Sequence, residues 1–262
     1  MNTNYTIVPL PAFNDNYIWL LRSDDQAAVV DPGDAAPVLA YLEQENLSLC
    51  AVLATHHHGD HVGGIEELLE HYRVPVFGPA GEPIDTLTQA LVDGDHIELP
   101  QLGATFEVLA IPGHTRAHIA YYGRNGSSRG TLFCGDTLFA CGCGRLFEGT
   151  PMQMQRSLAR LADLPGTTRI YCGHEYTQAN CRFALAVEPE NAALRNRAAE
   201  VAALRSANQP TLPTTVATEK AVNPFLRWAA PAVIEAAQRI SGKPLTQPDQ
   251  VFATIREWKN RF

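Results

Sequence analysis

The sequence predicts an α/β fold followed by a smaller, entirely helical region. Three observations lead to this prediction. The first half contains short apolar segments of β type separated by Gly, Pro and Asp. Several of these segments are followed within two or three residues by a glycine and a histidine or aspartate. After about residue 176, apolar residues recur instead at helical spacing. We therefore expect a sheet-based domain over residues 1–175 and a helical domain over residues 176–262.

Individual elements follow from the same patterns. Segments 18–21, 27–30, 51–54 and 74–77 are predicted strands. Residues 65–72 carry apolar side chains at helical spacing, and Gly63 and Gly64 before them allow the start of this helix to approach a neighbouring loop closely. In the second half, helices are expected over 191–208, 230–240 and 248–262, with 209–215 as a linker.

Composition excludes several classes of protein. The net charge of −8 argues against non-specific binding of nucleic acid, which requires basic surfaces. No apolar run approaches the roughly 20 residues that span a bilayer, and the first residues do not resemble a secretory leader, so neither membrane association nor secretion is expected. A chain of 262 residues does not need disulfides for stability, and we interpret its six cysteines as reduced thiols of a cytoplasmic protein.

The segment 55–61, Thr-His-His-His-Gly-Asp-His, concentrates potential metal ligands. His56, His58, Asp60 and His61 offer imidazole and carboxylate groups, which suit zinc, iron or manganese. The apolar run just before the segment is long enough for a buried strand and too short for a helix. We therefore expect the ligands in a loop at the end of a strand, where alternating side chains can reach two neighbouring ions.

Three later strand ends supply further candidate ligands, namely His114, Asp136 and His174. A single zinc site needs three or four protein ligands, so seven ligands favour two ions that share a bridging carboxylate. Asp136 is the predicted bridge because it is the only carboxylate among these three strand-end ligands.

These motifs resemble those of a known family. The pattern Thr-His-x-His-x-Asp-His, followed by separated His, Asp and His, is similar to the metal pattern of the metallo-β-lactamase superfamily. Further motifs resemble glyoxalase II, the hydroxyacylglutathione hydrolases: Phe13-x-Asp15-Asn16-Tyr17, Cys134-Gly135-Asp136-Thr137, Gly142-Cys143-Gly144-Arg145, Gly173-His174-Glu175-Tyr176 and the C-terminal Arg256-x-x-Lys259. The resemblance covers nearly the whole chain and implies an αββα sandwich for the catalytic domain and a helical substrate-binding domain.

The resemblance also implies a site. His56, His58 and His114 would hold one metal, Asp60, His61 and His174 a second, with Asp136 bridging and Asp136 and Asp60 in catalytic roles. Two divalent ions are implied, with zinc expected and iron or manganese as alternatives. Substrate contacts are implied at Arg145, Phe147, Tyr176, Arg256 and Lys259, where some family members carry lysine and tyrosine in place of Arg145 and Phe147.

The implied activity is hydrolysis of S-(2-hydroxyacyl)glutathione, typically S-D-lactoylglutathione, by a monomer whose partner is this small thioester. Within the same fold, a mononuclear iron persulfide dioxygenase is the alternative, and a β-lactamase or a nuclease fits less well. A metal sensor or interaction protein without catalysis is the alternative from another class.

Some residues have two interpretations. Asp31 is either a turn residue or the partner of a ligating histidine. His118 is interpreted as a packing residue beside the ligands, and His71 and His96 as ordinary polar residues. Taken alone, Arg256 and Lys259 could form an ordinary solvated helix face, and Tyr176 could simply pack.

Overall fold

A computed structural model describes residues 5–125 and 129–262 of the chain. The internal contacts divide it into two compact units. The first comprises Met1–Ala110 and Arg116–Gly135, and the second comprises Ile111–Thr115 and Asp136–Phe262.

The first unit contains a six-stranded mixed sheet in the order β1-β2-β3-β4-β5-β6. Its strands are β1 (Thr6–Ala12), β2 (Asn16–Ser23), β3 (Gln26–Val30), β4 (Ser48–Leu53), β5 (Val76–Pro79) and β6 (Gln89–Leu91). Strands β1 to β3 pair antiparallel, and β3 to β6 pair parallel. Parallel neighbours require crossover connections, and helices α1 (Ala36–Gln44), α2 (Gly59–Val62) and α3 (Ile65–His71) lie in two of them. The core on this sheet includes Leu20, Val29, Val52 and Ile65.

A second set of strands in the same unit forms an antiparallel meander. It consists of β7 (His96–Leu99), β8 (Ala104–Ala110), β9 (Ile119–Asn125) and β10 (Arg129–Gly135). The rings of Phe106 and Phe133 are buried, and their centres lie 5.9 Å apart. The buried Tyr121 hydroxyl donates to the carbonyl of Ala54 over 2.8 Å, so its polar atom is satisfied within the core. The predicted strands 18–21, 27–30, 51–54 and 74–77 are confirmed, with bounds shifted by a few residues.

The second unit is mostly helical. Its helices are α4 (Pro151–Ala162), α5 (Thr177–Val187), α6 (Ala192–Ser206), α7 (Val216–Val222), α8 (Pro231–Ser241) and α9 (Pro248–Arg261). It also holds the short hairpin β11 (Leu138–Phe139) and β12 (Gly142–Cys143), and the pair β13 (Arg169–Cys172) and β14 (Thr214–Thr215). Helix α4 begins with a capping box between Thr150 and Gln153, and Asn191 caps α6 by accepting from the Leu194 amide. One apolar cluster packs α5 against α6 through Cys181, Ala184, Leu194 and Val201.

The expected helices over 191–208, 230–240 and 248–262 correspond to α6, α8 and α9. The expected linker 209–215 is more ordered than its two prolines suggest. Thr211, Leu212 and Thr214 are buried, the Thr211 hydroxyl donates to the Glu175 carboxylate over 2.6 Å, and the segment ends as β14. Within the described ranges, no helix combines the length and apolar character needed to cross a bilayer. All six cysteines are free and buried.

Replacement of Gly64 tests the close approach at the start of α3. A Cβ at this position would lie 2.5 Å from the backbone nitrogen of Ala35 and 2.8 Å from the carbonyl oxygen of Pro32. Backbone atoms cannot move aside cheaply, so we expect Gly64→Ala to lower the free energy of unfolding by about 2 kcal/mol or more. Urea denaturation measures this change. Gly59→Ala is the matched control, because its Cβ would meet nothing within 4 Å. Equal stability of the two variants would contradict the packing described.

Candidate active site

The first group of predicted ligands lies where β4 ends and α2 begins. The Nε2 atom of His56 and the Nδ1 atom of His58 are 3.1 Å apart, a spacing compatible with both nitrogens binding one ion at about 2.0 to 2.1 Å. The Oδ2 atom of Asp60 lies 3.6 Å from Nε2 of His61. His56 and His58 precede α2 in the expected loop, whereas Asp60 and His61 belong to that four-residue helix. This single turn therefore presents imidazole and carboxylate ligands side by side.

Asp31 orients this segment. It has a φ of 54°, and its carboxylate accepts hydrogen bonds from the Thr55 amide over 2.7 Å and the Thr55 hydroxyl over 2.8 Å. Its Oδ2 atom also lies 3.1 Å from Nδ1 of His61. This contact with His61, a predicted ligand, fits the interpretation of Asp31 as the partner of a ligating histidine. A carboxylate at Nδ1 directs the other ring nitrogen of a ligating histidine outward and raises its basicity.

Other side chains hold the remaining ligands of the first unit. The Asn16 side-chain amide donates to Oδ2 of Asp60 over 3.0 Å. The ring of His118 stacks on that of His56 at 4.6 Å, which agrees with the packing role predicted for it. Sequence reasoning missed Glu82, a buried carboxylate that contacts the His57 ring and accepts from the Ala117 amide over 2.9 Å. No local sequence motif around Glu82 predicts its burial or its contacts with His57 and Ala117.

In the second unit, Asp136 lies between two predicted histidine ligands. Its Oδ2 atom is 3.5 Å from Nε2 of His114 and 3.3 Å from Nε2 of His174. The Nδ1 atom of His114 lies 2.8 Å from the carbonyl oxygen of Arg145, and the ring of His174 stacks on Tyr176 at 4.6 Å. Each imidazole is thus oriented so that Nε2 points to the same carboxylate. This donor set suits a divalent ion, and the position of Asp136 between two imidazoles is the arrangement that a bridging carboxylate needs.

A cavity of about 500 Å³ in the second unit brings the predicted substrate residues together. Its lining includes all five of them: Arg145, Phe147, Tyr176, Arg256 and Lys259. His114 and Asp136 line the same cavity. The five residues, which span positions 145 to 259, therefore share one space with two predicted metal ligands. The cavity presents cationic groups and aromatic rings, a combination suited to an anionic organic ligand.

Arg256 and Lys259 do not form a solvated face. Arg256 is only 4% exposed, its guanidinium donates to the carbonyl of Cys143 over 2.9 Å, and it lies 5.3 Å from the centre of the Phe225 ring. The Lys259 ammonium donates to the side-chain oxygen of Asn180. Desolvation, with a smaller contribution from the Arg256 charge, lowers the pKa of Lys259 to about 8. Two cations are thus held together on one wall of the cavity.

Three buried polar residues outside the predicted site hydrogen-bond to the hairpin β11–β12. This hairpin contributes Phe139 and Cys143 to the lining of the cavity. Asn180 donates to the carbonyl of Ala140 over 2.9 Å, and Asn223 donates to that of Gly142 over 2.9 Å. The Glu219 carboxylate accepts from the amide of Cys141 over 2.7 Å, and burial raises its pKa. Sequence reasoning missed Asn180, Glu219 and Asn223. No local motif marks these three residues, because the need for them arises only in the folded hairpin, whose backbone groups require partners.

Comparison with known proteins agrees with this geometry. The family model of the metallo-beta-lactamase superfamily matches residues 12–174, and that of the hydroxyacylglutathione hydrolase C-terminus matches residues 175–262. A protein of Cupriavidus taiwanensis named hydroxyacylglutathione hydrolase is 56% identical over 263 residues, covering 98% of each chain.

Solved structures share the fold. The crystal structure of ETHE1 from Myxococcus xanthus is 25% identical, covers 98% of both chains and superposes with a TM-score of 0.64. The structure of TTHA1623 in a di-iron-bound form is 27% identical, covers 84% of this chain and 100% of that chain, and has a TM-score of 0.58. The predicted combination of a metallo-β-lactamase fold with a helical C-terminal region is confirmed. The chain belongs to the hydroxyacylglutathione hydrolase family of the metallo-β-lactamase superfamily.

Proposed function

We propose that the protein is a metal-dependent thioester hydrolase that cleaves S-(2-hydroxyacyl)glutathione to glutathione and a 2-hydroxy acid. With S-D-lactoylglutathione the acid is D-lactate, which places the reaction at the second step of methylglyoxal detoxification. One observation carries the proposal: a single cavity is lined by the predicted metal ligands His114 and Asp136 and by the cations Arg145, Arg256 and Lys259. The names of the relatives at 50–56% identity support the same activity.

The metal part of the proposal assigns two ions to seven ligands. His56, His58 and His114 would bind the first ion, Asp60, His61 and His174 the second, and Asp136 both. The pairing of His56 with His58 and of Asp136 with two imidazoles supports this assignment. The di-iron form of TTHA1623 shows that a protein of this fold holds two ions. Zinc is the proposed metal, with iron or manganese as alternatives, because imidazole and carboxylate ligands accept all three.

Thioester hydrolysis needs little further acid–base help from side chains. When bound, two divalent ions lower the pKa of a water molecule towards about 7 and polarise the thioester carbonyl. The Asp136 carboxylate, beside His114 and His174, would orient the attacking water and take up its proton, while Asp60 would hold the second ion beside His61. The leaving group is a thiolate whose conjugate acid has a pKa of about 8.5, so it departs without a dedicated proton donor.

Substrate recognition is assigned to the cavity wall. Glutathione carries two carboxylates and one ammonium, so it is a net anion. Arg145, Arg256 and Lys259 would bind its carboxylates, and the rings of Phe147 and Tyr176 would pack against its backbone. Phe147 is 63% exposed and lines the cavity.

Further assignments belong to the same proposal. Residues 1–175 would form the catalytic domain and 176–262 the substrate-binding domain. We expect a cytoplasmic monomer, an expectation consistent with six free thiols.

The direct test is loss of thioester absorbance on addition of S-D-lactoylglutathione to the metal-loaded protein. Rapid turnover supports the proposal. Metal binding without turnover of this thioester would contradict it and would favour another substrate of the fold or a metal sensor.

Replacement of Asp136 tests the bridge. We expect Asp136→Ala to retain the fold, to lose most of the second equivalent of metal and to lower kcat by about a thousandfold or more, since both water orientation and metal binding are affected. Elemental analysis and the absorbance assay measure these quantities. Asp163→Ala, at the exposed end of α4, is the control. Two tightly bound ions in Asp136→Ala would show that it is not the bridge.

Asp31 should influence metal affinity without being a ligand. Because its carboxylate orients both Thr55 and His61, we expect Asp31→Ala to weaken metal binding about 10- to 100-fold. Competition with a chromophoric chelator gives the affinity. Asp34→Ala removes a carboxylate from the same loop, where it accepts only from the Ala36 amide over 3.0 Å, and should leave the metal affinity unchanged. Equal affinities in the two variants would argue against an orienting role for Asp31.

Arg256 should act mainly on substrate binding. We expect Arg256→Ala to raise KM for the glutathione thioester about tenfold or more, the usual effect of losing a charged hydrogen-bond donor, while kcat changes much less. Arg261→Ala, on the same helix with its side chain 67% exposed, is the control. A KM unchanged from that of the parent would remove Arg256 from the substrate site.

A further inference from the structure

We propose that Asn180 is a positioning residue for Lys259, holding its ammonium group at the cavity wall so that it can bind a carboxylate of the substrate. The identity of that substrate rests on the proposed function. The placement of Lys259 by Asn180 rests on contacts within the second unit alone.

Asn180 is buried, with only 2% of its surface exposed, and both ends of its carboxamide are engaged. The Nδ2 group donates to the carbonyl of Ala140 over 2.9 Å, and Oδ1 accepts from the Lys259 ammonium. An ammonium can only donate and a carbonyl can only accept, so these two partners fix the orientation of the amide. Asparagine is suited to this position because it offers a donor and an acceptor on one short side chain.

The surrounding backbone leaves room for this amide and little else. A Cβ at Gly142 would lie 2.5 Å from Nδ2 of Asn180. On α5, the backbone N–H of Asn180 donates to the backbone carbonyl of Tyr176 over 2.9 Å. Asn180 therefore lies one helical turn beyond Tyr176, a predicted substrate residue. Tyr176, Asn180 and Lys259 all line the same cavity. Asn180 therefore links the hairpin, the start of α5 and the cation of α9.

Lys259 needs such a partner because burial removes water from around its charge. Its Nζ atom lies 5.7 Å from the ring centre of Phe225 and 5.8 Å from that of Phe183, and these ring faces attract the ammonium but accept no conventional hydrogen bond from it. Among the described residues, Asn180 is the only hydrogen-bond acceptor that it reaches. The ionisable groups that act on it are Arg256 on its own helix α9, Arg145 after the hairpin, and the thiols of Cys141 and Cys143 on the hairpin.

Desolvation, together with the smaller effect of the two arginines, lowers the pKa of Lys259 to about 8. Its cation is therefore present below about pH 8 and is lost as the pH rises through this value. Substitution of Asn180 should shift the pKa of Lys259, and the charge of the new side chain should decide the direction of the shift. A carboxylate would stabilise the ammonium and raise the pKa, whereas an apolar side chain would remove the only acceptor and lower it.

The chain contains only three lysines, Lys220, Lys243 and Lys259, which makes a direct measurement practical. In zinc-loaded, full-length protein labelled with ¹³C-lysine, the three Cε signals can be followed by NMR from about pH 6 to about pH 11. Lys259→Arg assigns the signal. In the parent protein we expect a midpoint below the ordinary lysine value of about 10.4. The midpoint should be higher than in the parent by about one unit or more in Asn180→Asp, and lower than in the parent in Asn180→Leu. Gln178→Leu, which removes an exposed amide from the same helix, should match the parent.

Steady-state kinetics over the same pH range provide the functional readout. KM for S-D-lactoylglutathione should rise as Lys259 loses its proton, at higher pH in Asn180→Asp and at lower pH in Asn180→Leu, with kcat little changed. Lys259→Arg should lack this rise, because arginine stays charged throughout. Opposite shifts in the two variants are not expected from a merely structural asparagine.

The outcomes separate the two proposals. Midpoints that coincide in all variants, or that move in the same direction in both Asn180 variants, would overturn the role of Asn180. If Asn180→Asp does not fold, the lower midpoint in Asn180→Leu and the lost pH dependence in Lys259→Arg decide the question. Opposite NMR shifts in a protein that does not hydrolyse the thioester would retain the link between Asn180 and Lys259 and reject the proposed substrate.

Discussion

The cost of burying imidazole and carboxylate groups is the constraint on which this structure depends. Such groups destabilise a fold unless each has a partner. Here each half of the ligand set is held by its own unit. In the first unit, Asp31 lies at His61 and Asn16 donates to Asp60. In the second, a backbone carbonyl faces His114 and Tyr176 stacks on His174. The predicted ligands are therefore oriented by contacts within each unit, which would reduce the reorganisation that metal binding requires.

The same constraint governs the substrate cavity. The hairpin β11–β12 is too short to satisfy its own backbone groups, and buried side chains from helices supply the missing partners. Asn180, Glu219 and Asn223 bind its carbonyl and amide groups, and Arg256 donates to its last carbonyl. The same contacts of the C-terminal helices thus have two effects. They stabilise the hairpin, and they place the cations of α9 at the cavity that Asp136 also lines.

Local patterns predicted much of this arrangement. Strands that end in a glycine and a ligand, and the dense motif at 55–61, were sufficient to select the seven ligand candidates and the class of fold. Contacts distant in sequence were not predictable in this way. Glu82, Asn180 and Glu219 look like ordinary polar surface residues in their own segments, and only the fold shows that they are buried against backbone groups. The order within the linker 209–215 was not predictable for the same reason, because it depends on distant contacts such as that of Thr211 with Glu175.

The central claim is that two ions act together in thioester hydrolysis. Stepwise addition of zinc to metal-free protein, with turnover of S-D-lactoylglutathione measured after each addition, tests it most directly. We expect full activity only when two equivalents of zinc per chain are bound. Maximal activity at one equivalent, with no further change at two, would contradict it.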